Sequence, residues 1–220
     1  MLSKIMLGLY LLFSAVHLYH SWKDDPKRKI TKPFLLIFLI LYYVFSTDRI
    51  NIPLLLALFT SWLGDFLLIP KGNKWFICGG ISFIFCHLFF IAVYYVRISF
   101  TGIPWLLVIP AAILYFGIGL KIILSIKDNT PKAMLPLMYF YLLCNSTMNV
   151  FSLMQLITLK SKGALTAFIG ALLFYFSDCV LFLVRYHKNR DLIFKKHFTV
   201  MLAYLLGELM ITVGILMMGG

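Results

Sequence analysis

The sequence predicts an all-α membrane protein, a compact bundle of eight transmembrane helices. Three observations lead there. The 220-residue chain is 62% hydrophobic and only 13% charged, against about 45–50% and about 25% in soluble domains. Apolar runs recur from end to end at the length needed to cross a hydrocarbon core of about 30 Å. Runs such as PFLLIFLILYYVF do not alternate polar with apolar, which excludes a lipid-facing β-barrel.

The elements follow in order, each bounded by polar punctuation. Element one, 4–21, has no small-x-small cleavage site and is followed by KDDPKRK, so it reads as a retained helix and not a signal peptide. Element two, 33–47, starts at Pro33 and is short enough either to begin earlier or to lie obliquely. Element three, 52–69, follows STDRIN and contains Gly64-Asp65. Element four, 75–96, follows PKGNK; its Cys78, Gly79, Gly80 and Ser82 are small enough for helices to approach closely. Element five, 104–126, follows SFTGIP, and element six, 132–157, follows KDNTPK. In element six Asn145, Asn149 and Ser152 fall at i, i+4 and i+7 and make one polar stripe. Element seven, 163–185, follows KSKG and holds FYFSDCVLF around Asp178; element eight, 195–217, follows HKNRD and holds Gly207-Glu208. No linker or soluble segment interrupts them, so residues 1–220 form a single polytopic transmembrane domain.

The net charge of +12 would suggest nucleic acid in a soluble chain, but here the cations sit in short loops, so no nucleic-acid partner is expected. The loops after elements one, three, five and seven carry fourteen Lys and Arg, Arg190 among them, and the opposite side carries five. That imbalance puts the basic side in the cytosol and both termini outside it. Gly64-Asp65 and Ser177-Asp178 stand at matching places in the two halves, as do the Pro-led segments from Pro33 and Pro136; a 4+4 pseudo-repeat would produce this. The cysteines Cys78, Cys86, Cys144 and Cys179 show no metal spacing and read as small buried side chains.

Five of the eight acidic residues lie in loops, leaving Asp65, Asp178 and Glu208 inside apolar elements together with His87. An ionisable group at the centre of a membrane helix costs about 2.5–3.5 kcal/mol on insertion scales, so four of them ask for one shared polar cavity. Counting at about 1.5 Å per residue puts Asp65 and Asp178 roughly 8–10 Å from the basic side. The same count puts His87 and Glu208 in a second layer roughly 18 Å deep. His17, His20, His187 and His197 read as interfacial. HExxH, GxSxG, di-iron histidine clusters and nucleotide-binding fingerprints are all missing from the sequence. One intramembrane histidine with separated carboxylates makes a poor zinc set, so no metal and no cofactor are expected. What remains is carboxylate acid–base chemistry or proton-coupled transport.

Three strings make the chain recognisable: TSWLGDFLLI (60–69), FICGGISFIFCHLFFIAVYY (76–95) and GALLFYFSDCVLFLVRY (170–186). Together they resemble the lysoplasmalogenase family, the YhhN-like integral membrane proteins, in order and spacing along the whole chain. The resemblance implies hydrolysis of the vinyl-ether bond of alkenyl lysophospholipids, giving a fatty aldehyde and glycerophosphoethanolamine or glycerophosphocholine. Asp65 and Asp178 would then form the acid–base pair, with the sequence leaving open which is which, and His87 would orient a carboxyl or the water. Asn145, Asn149 and Glu208 would line the substrate cavity, and Lys74 and Arg185 would meet the phosphate. The implied partners are a lysophospholipid and the bilayer, in a bacterial plasma membrane or the endoplasmic reticulum. Oligomeric state stays open.

Overall fold

The computed structural model describes residues 1–189 and 191–219; Arg190, counted above on the basic side, lies outside the described residues. Eight α-helices account for the eight expected elements: α1 Leu2–Trp22, α2 Arg28–Val44, α3 Ile52–Leu67, α4 Asn73–Tyr95, α5 Trp105–Ile126, α6 Leu135–Leu159, α7 Lys162–Tyr186 and α8 Lys196–Met217. There is no strand among the described residues. All but α2 and α3 are long and apolar enough to cross a membrane, six helices in total.

Consecutive helices pack as hairpins: α1 on α2, α3 on α4, α5 on α6 and α7 on α8. Further contacts of α2 with α3, α4 with α6, α6 with α7 and α1 with α8 close the bundle. Large apolar side chains cover much of the surface, and the interior combines an apolar core with a set of buried polar groups. Leu106, Leu107, Ile109, Ile113 and Leu114 of α5 point outward, whereas Ser61, Asp65, His87, Asn145, Asn149, Gln155, Asp178 and Glu208 are buried. A bundle dissolved in hydrocarbon is expected to sort its residues this way, since polar groups find donors only inside the protein.

Local chemistry sets the helix ends. Asn51 caps α3 by accepting the Leu54 N–H at 3.0 Å, and the Tyr43 hydroxyl accepts the Asn51 N–H at 2.6 Å, pinning the α2–α3 turn. Ser161 caps α7 through the Ala164 N–H at 3.1 Å. At α2 the structure resolves the choice left by the sequence: the helix begins at Arg28, so Pro33 is its sixth residue and not its first. The ring removes the N–H that would bond the Lys29 carbonyl, yet the helix continues through it. The consequence is that Lys32, which reads as a loop cation from the sequence, projects from the second turn of a helix.

The tightest seam lies between α7 and α8. A methyl group at Gly170 would come within 2.7 Å of the Gly207 carbonyl oxygen and the Ile211 nitrogen. At Gly214 a methyl group would come 2.5 Å from the Ala167 nitrogen. The two backbones therefore touch, as small residues permit in membranes. The Ser177 hydroxyl donates to the Val200 carbonyl at 2.9 Å and fixes the register one residue before Asp178. Alanine at Gly170 or Gly214 should cost about 1–3 kcal/mol through overpacking, seen as a lower thermal midpoint in detergent. Alanine at Gly8, where nothing lies within 4 Å, should be neutral or slightly stabilising because glycine is the weaker helix former.

Candidate functional site

A cavity of about 360 Å³ opens where the α1–α2, α3–α4 and α7–α8 junctions meet. Its floor holds Asp65 from α3 and Asp178 from α7, only 3% and 4% exposed. Tyr204, Phe83 and Ser177 form the walls beside them. The mouth is basic: Arg28, Lys29, Lys71, Arg185 and His197 line it, with Lys32 and the buried His17 further in. The two aspartates that the sequence places at similar depth thus share one cavity.

Their surroundings differ. Lys32 Nζ from α2 lies 3.0 Å from Asp65 Oδ1, an ion pair inside the cavity. Asp65 Oδ2 is buried and makes no hydrogen bond among the described residues. Asp178 has no such cation. The Asn145 amide of α6 donates to Asp178 Oδ2 at 2.8 Å, and His87 Nε2 of α4 stands 3.3 Å from the same oxygen. The other oxygen, Oδ1, is engaged by neither. The Asn149 amide donates to the Asn145 carbonyl at 3.0 Å and reaches its side-chain oxygen at 3.2 Å, so the polar stripe of α6 acts as a prop behind Asp178.

His87 is fully buried and sits outside the cavity, with Tyr141 edge-on at 5.1 Å and Phe174 at 5.1 Å between ring centroids. It touches Asp178 from behind, so the two layers inferred from depth are in direct contact on this side of the bundle. Glu208 belongs to a different cluster. Ser61 Oγ donates to Glu208 Oε1 at 2.5 Å and stands 2.9 Å from Cys86 Sγ, joining α3, α4 and α8 in a fully buried knot. Glu208 does not line the cavity.

Of the two cations expected to meet a phosphate, Arg185 lines the mouth and Lys74 does not; Lys71, three residues earlier, takes that place. Arg185 is held over the Phe76 ring, 3.9 Å from its centroid, with one nitrogen 3.3 Å from the Asn73 side-chain oxygen. It bridges the end of α7 to the start of α4. Sequence reasoning missed Lys32 and His17. His17 is buried, not interfacial, and pairs with Thr31 Oγ1 at 2.8 Å. A signal for Lys32 existed: it precedes an apolar run that becomes a helix of seventeen residues only if the helix starts upstream of Pro33. A narrow apolar cleft of about 20 Å³ lies between α4, α6 and α7 beside Gly80, Leu137, Met138 and Phe182, and shares Leu68, Phe76, Phe83 and Leu181 with the cavity wall.

The site therefore defines a class: a multi-helix membrane protein with two carboxylates on the floor of a basic-mouthed cavity. The sequence pattern of the YhhN family matches residues 27–215, most of the chain. The protein belongs to the YhhN family, which is the lysoplasmalogenase family. Comparisons with curated proteins and with solved structures give no match.

The Ser61–Glu208 contact yields a stability prediction. Ser61→Ala removes the donor to Glu208 Oε1, whose other oxygen already makes no hydrogen bond among the described residues. The loss should be about 1–3 kcal/mol, read as a lowered thermal midpoint in detergent, with Ser61→Thr recovering much of it.

Proposed function

We propose that this chain is a lysoplasmalogenase, hydrolysing the vinyl-ether bond of alkenyl lysophospholipids by carboxylate acid–base catalysis. The observation that carries the reading is the convergence of Asp65 and Asp178 on one cavity with a basic mouth. The reaction needs two services. A proton must reach the enol carbon, producing an oxocarbenium ion, and an anion must stabilise that ion or accept a proton from the attacking water. Glycosidases meet a similar cation with one protonated and one ionised carboxyl. Water addition gives a hemiacetal, which collapses to the fatty aldehyde and the glycerol hydroxyl.

The surroundings support a matching substrate pose. The phosphate of the head group meets Arg28, Lys71 and Arg185 at the mouth, where guanidinium and ammonium groups supply charge-assisted hydrogen bonds. The vinyl ether then reaches the carboxylates on the floor, and Leu68, Phe76, Phe83 and Leu181 of the cavity wall offer apolar surface to the start of the hydrocarbon chain. His87, Asn145 and Asn149 serve the site from behind by orienting Asp178; Glu208 and Lys74 have no contact with the cavity that supports a substrate role.

The finer architecture belongs to the same reading. All eight helices cross the bilayer, with α2 and α3, at seventeen and sixteen residues, spanning about 24–26 Å. The basic mouth faces the cytosol and both termini face away from it, in a bacterial plasma membrane or the endoplasmic reticulum. A 4+4 repeat is supported by the two carboxylates themselves. Lys32–Asp65 joins the second helix to the third, and Asn145–Asp178 joins the sixth to the seventh, each pair 33 residues apart.

Purified protein in detergent should release aldehyde from a 1-alkenyl lysophospholipid and none from the 1-alkyl analogue, which has no enol carbon to protonate. Asp65→Asn and Asp178→Asn should each lower turnover by about 10²–10⁴-fold, and Arg185→Ala should act mainly on KM. Full activity in either aspartate variant removes that residue from the mechanism. Lysolipid uptake by proteoliposomes without aldehyde release would favour a proton-coupled transporter.

A further inference from the structure

The two aspartates have different counter-groups, and the difference assigns their roles. Asp65 is held by a lysine ammonium at 3.0 Å. Asp178 Oδ2 accepts from the neutral amide of Asn145 at 2.8 Å, and His87 Nε2, which makes no hydrogen bond among the described residues, stands 3.3 Å from the same oxygen. Low-dielectric surroundings strengthen each of these pairings relative to water. An ammonium beside a carboxylate favours its charged form, and removing one partner leaves an uncompensated charge. An amide N–H can be donated to a carboxyl in either protonation state, so Asn145 does not demand that Asp178 be ionised.

The geometry points to Lys32 as the positioning residue that keeps Asp65 the anionic partner, leaving Asp178 as the proton donor to the enol carbon. The inference rests on the vinyl-ether hydrolase reading and deepens it. In the step, the Asp178 O–H bond breaks as a C–H bond forms at the enol carbon, and the π electrons move to give the oxocarbenium ion. Asp65 stabilises that cation, then takes a proton from water as the water oxygen bonds to the cationic carbon. As the hemiacetal collapses, its hydroxyl loses its proton and becomes the aldehyde carbonyl, the carbon–oxygen bond to glycerol breaks, and that proton is passed to the glycerol oxygen. Transfer of the proton from Asp65 back to Asp178 through solvent in the cavity resets the pair. No other reactant is consumed.

The place of Lys32 in the fold is the second observation. It occupies, in the first half of the chain, the place Asn145 occupies in the second, each one helix before its aspartate and each 33 residues from it. A cation in one half and a neutral amide in the other make the otherwise matched carboxylates unequal. Lys32 also lines the cavity between Asp65 and the basic mouth, so its effect on a bound phosphate must be separated from its effect on Asp65.

The test uses the full-length protein in detergent with aldehyde release from a 1-alkenyl lysophospholipid, checked for monodispersity and thermal midpoint. Wild-type turnover is the control on the underlying reading: without it that reading fails and the assignment is moot. Given wild-type turnover, Lys32→Met should lower kcat at least tenfold with KM changed less than about threefold, because the lost charge acts on the chemical step. Lys32→Arg should recover most of the loss. Lys32→Met added to Asp65→Asn should cost little more, since both remove the same charged pair. At neutral pH, formate should restore turnover in Asp65→Ala and not in Asp178→Ala. Equal losses in Lys32→Met and Lys32→Arg, a loss confined to KM, or formate rescue of Asp178→Ala alone would each overturn the assignment.

Discussion

A carboxylate inside a helix bundle in lipid must find its donors within the protein, and the rest of this structure follows from that constraint. Asp65 of α3 takes Lys32 of α2. Asp178 of α7 takes Asn145 of α6, with His87 of α4 beside it at 3.3 Å. Glu208 of α8 takes Ser61 of α3. Each carboxylate ties its helix to one or two others, so the polar contacts also specify which helices adjoin. The apolar contacts of the bundle are less directional, because lipid tails are as apolar as the side chains they would replace.

The three carboxylates are not equivalent in consequence. Glu208 is buried away from the cavity, bonded to the Ser61 hydroxyl that also adjoins the Cys86 thiol, and it links α8 to α3. Asp65 and Asp178 look into a cavity, and the groups behind them supply the difference that acid–base chemistry requires. The α7–α8 glycine seam packs the helix that carries Asp178 directly against its neighbour. Gly170 and Gly214 bring two backbones together, and the Ser177–Val200 bond adds register one residue before Asp178. Precise placement of reacting groups is worth large factors in rate, so a closely packed hairpin under one carboxylate would serve the proposed reaction.

Much of this was legible in the sequence, and the misses have physical causes. Apolar length and loop punctuation located the helices to within a few residues, except at α2, whose start was set at Pro33 with an earlier one left open. That reading hid Lys32, because a proline at the sixth position of α2 looks the same in sequence as one at the first. Depth counting paired Asp65 with Asp178 correctly but also paired His87 with Glu208. Rise along a helix gives depth and not the side on which a residue faces, and His87 turns to Asp178 while Glu208 turns to Ser61. His17 read as interfacial because it lies near a helix end, but α2 covers that end and Thr31 supplies its partner. The seam had a signal of its own: Gly163 and Gly170, like Gly207 and Gly214, stand seven residues apart.

The claim at the centre of the account is that a carboxyl group on the cavity floor delivers a proton to the carbon of a vinyl ether. Turnover in heavy water, with the aldehyde reduced as it forms and examined by mass spectrometry, tests this directly. Turnover should be slower than in ordinary water, and the product should carry a single deuterium on the carbon next to the former carbonyl. A rate indifferent to heavy water, or a product without carbon-bound deuterium, would contradict it.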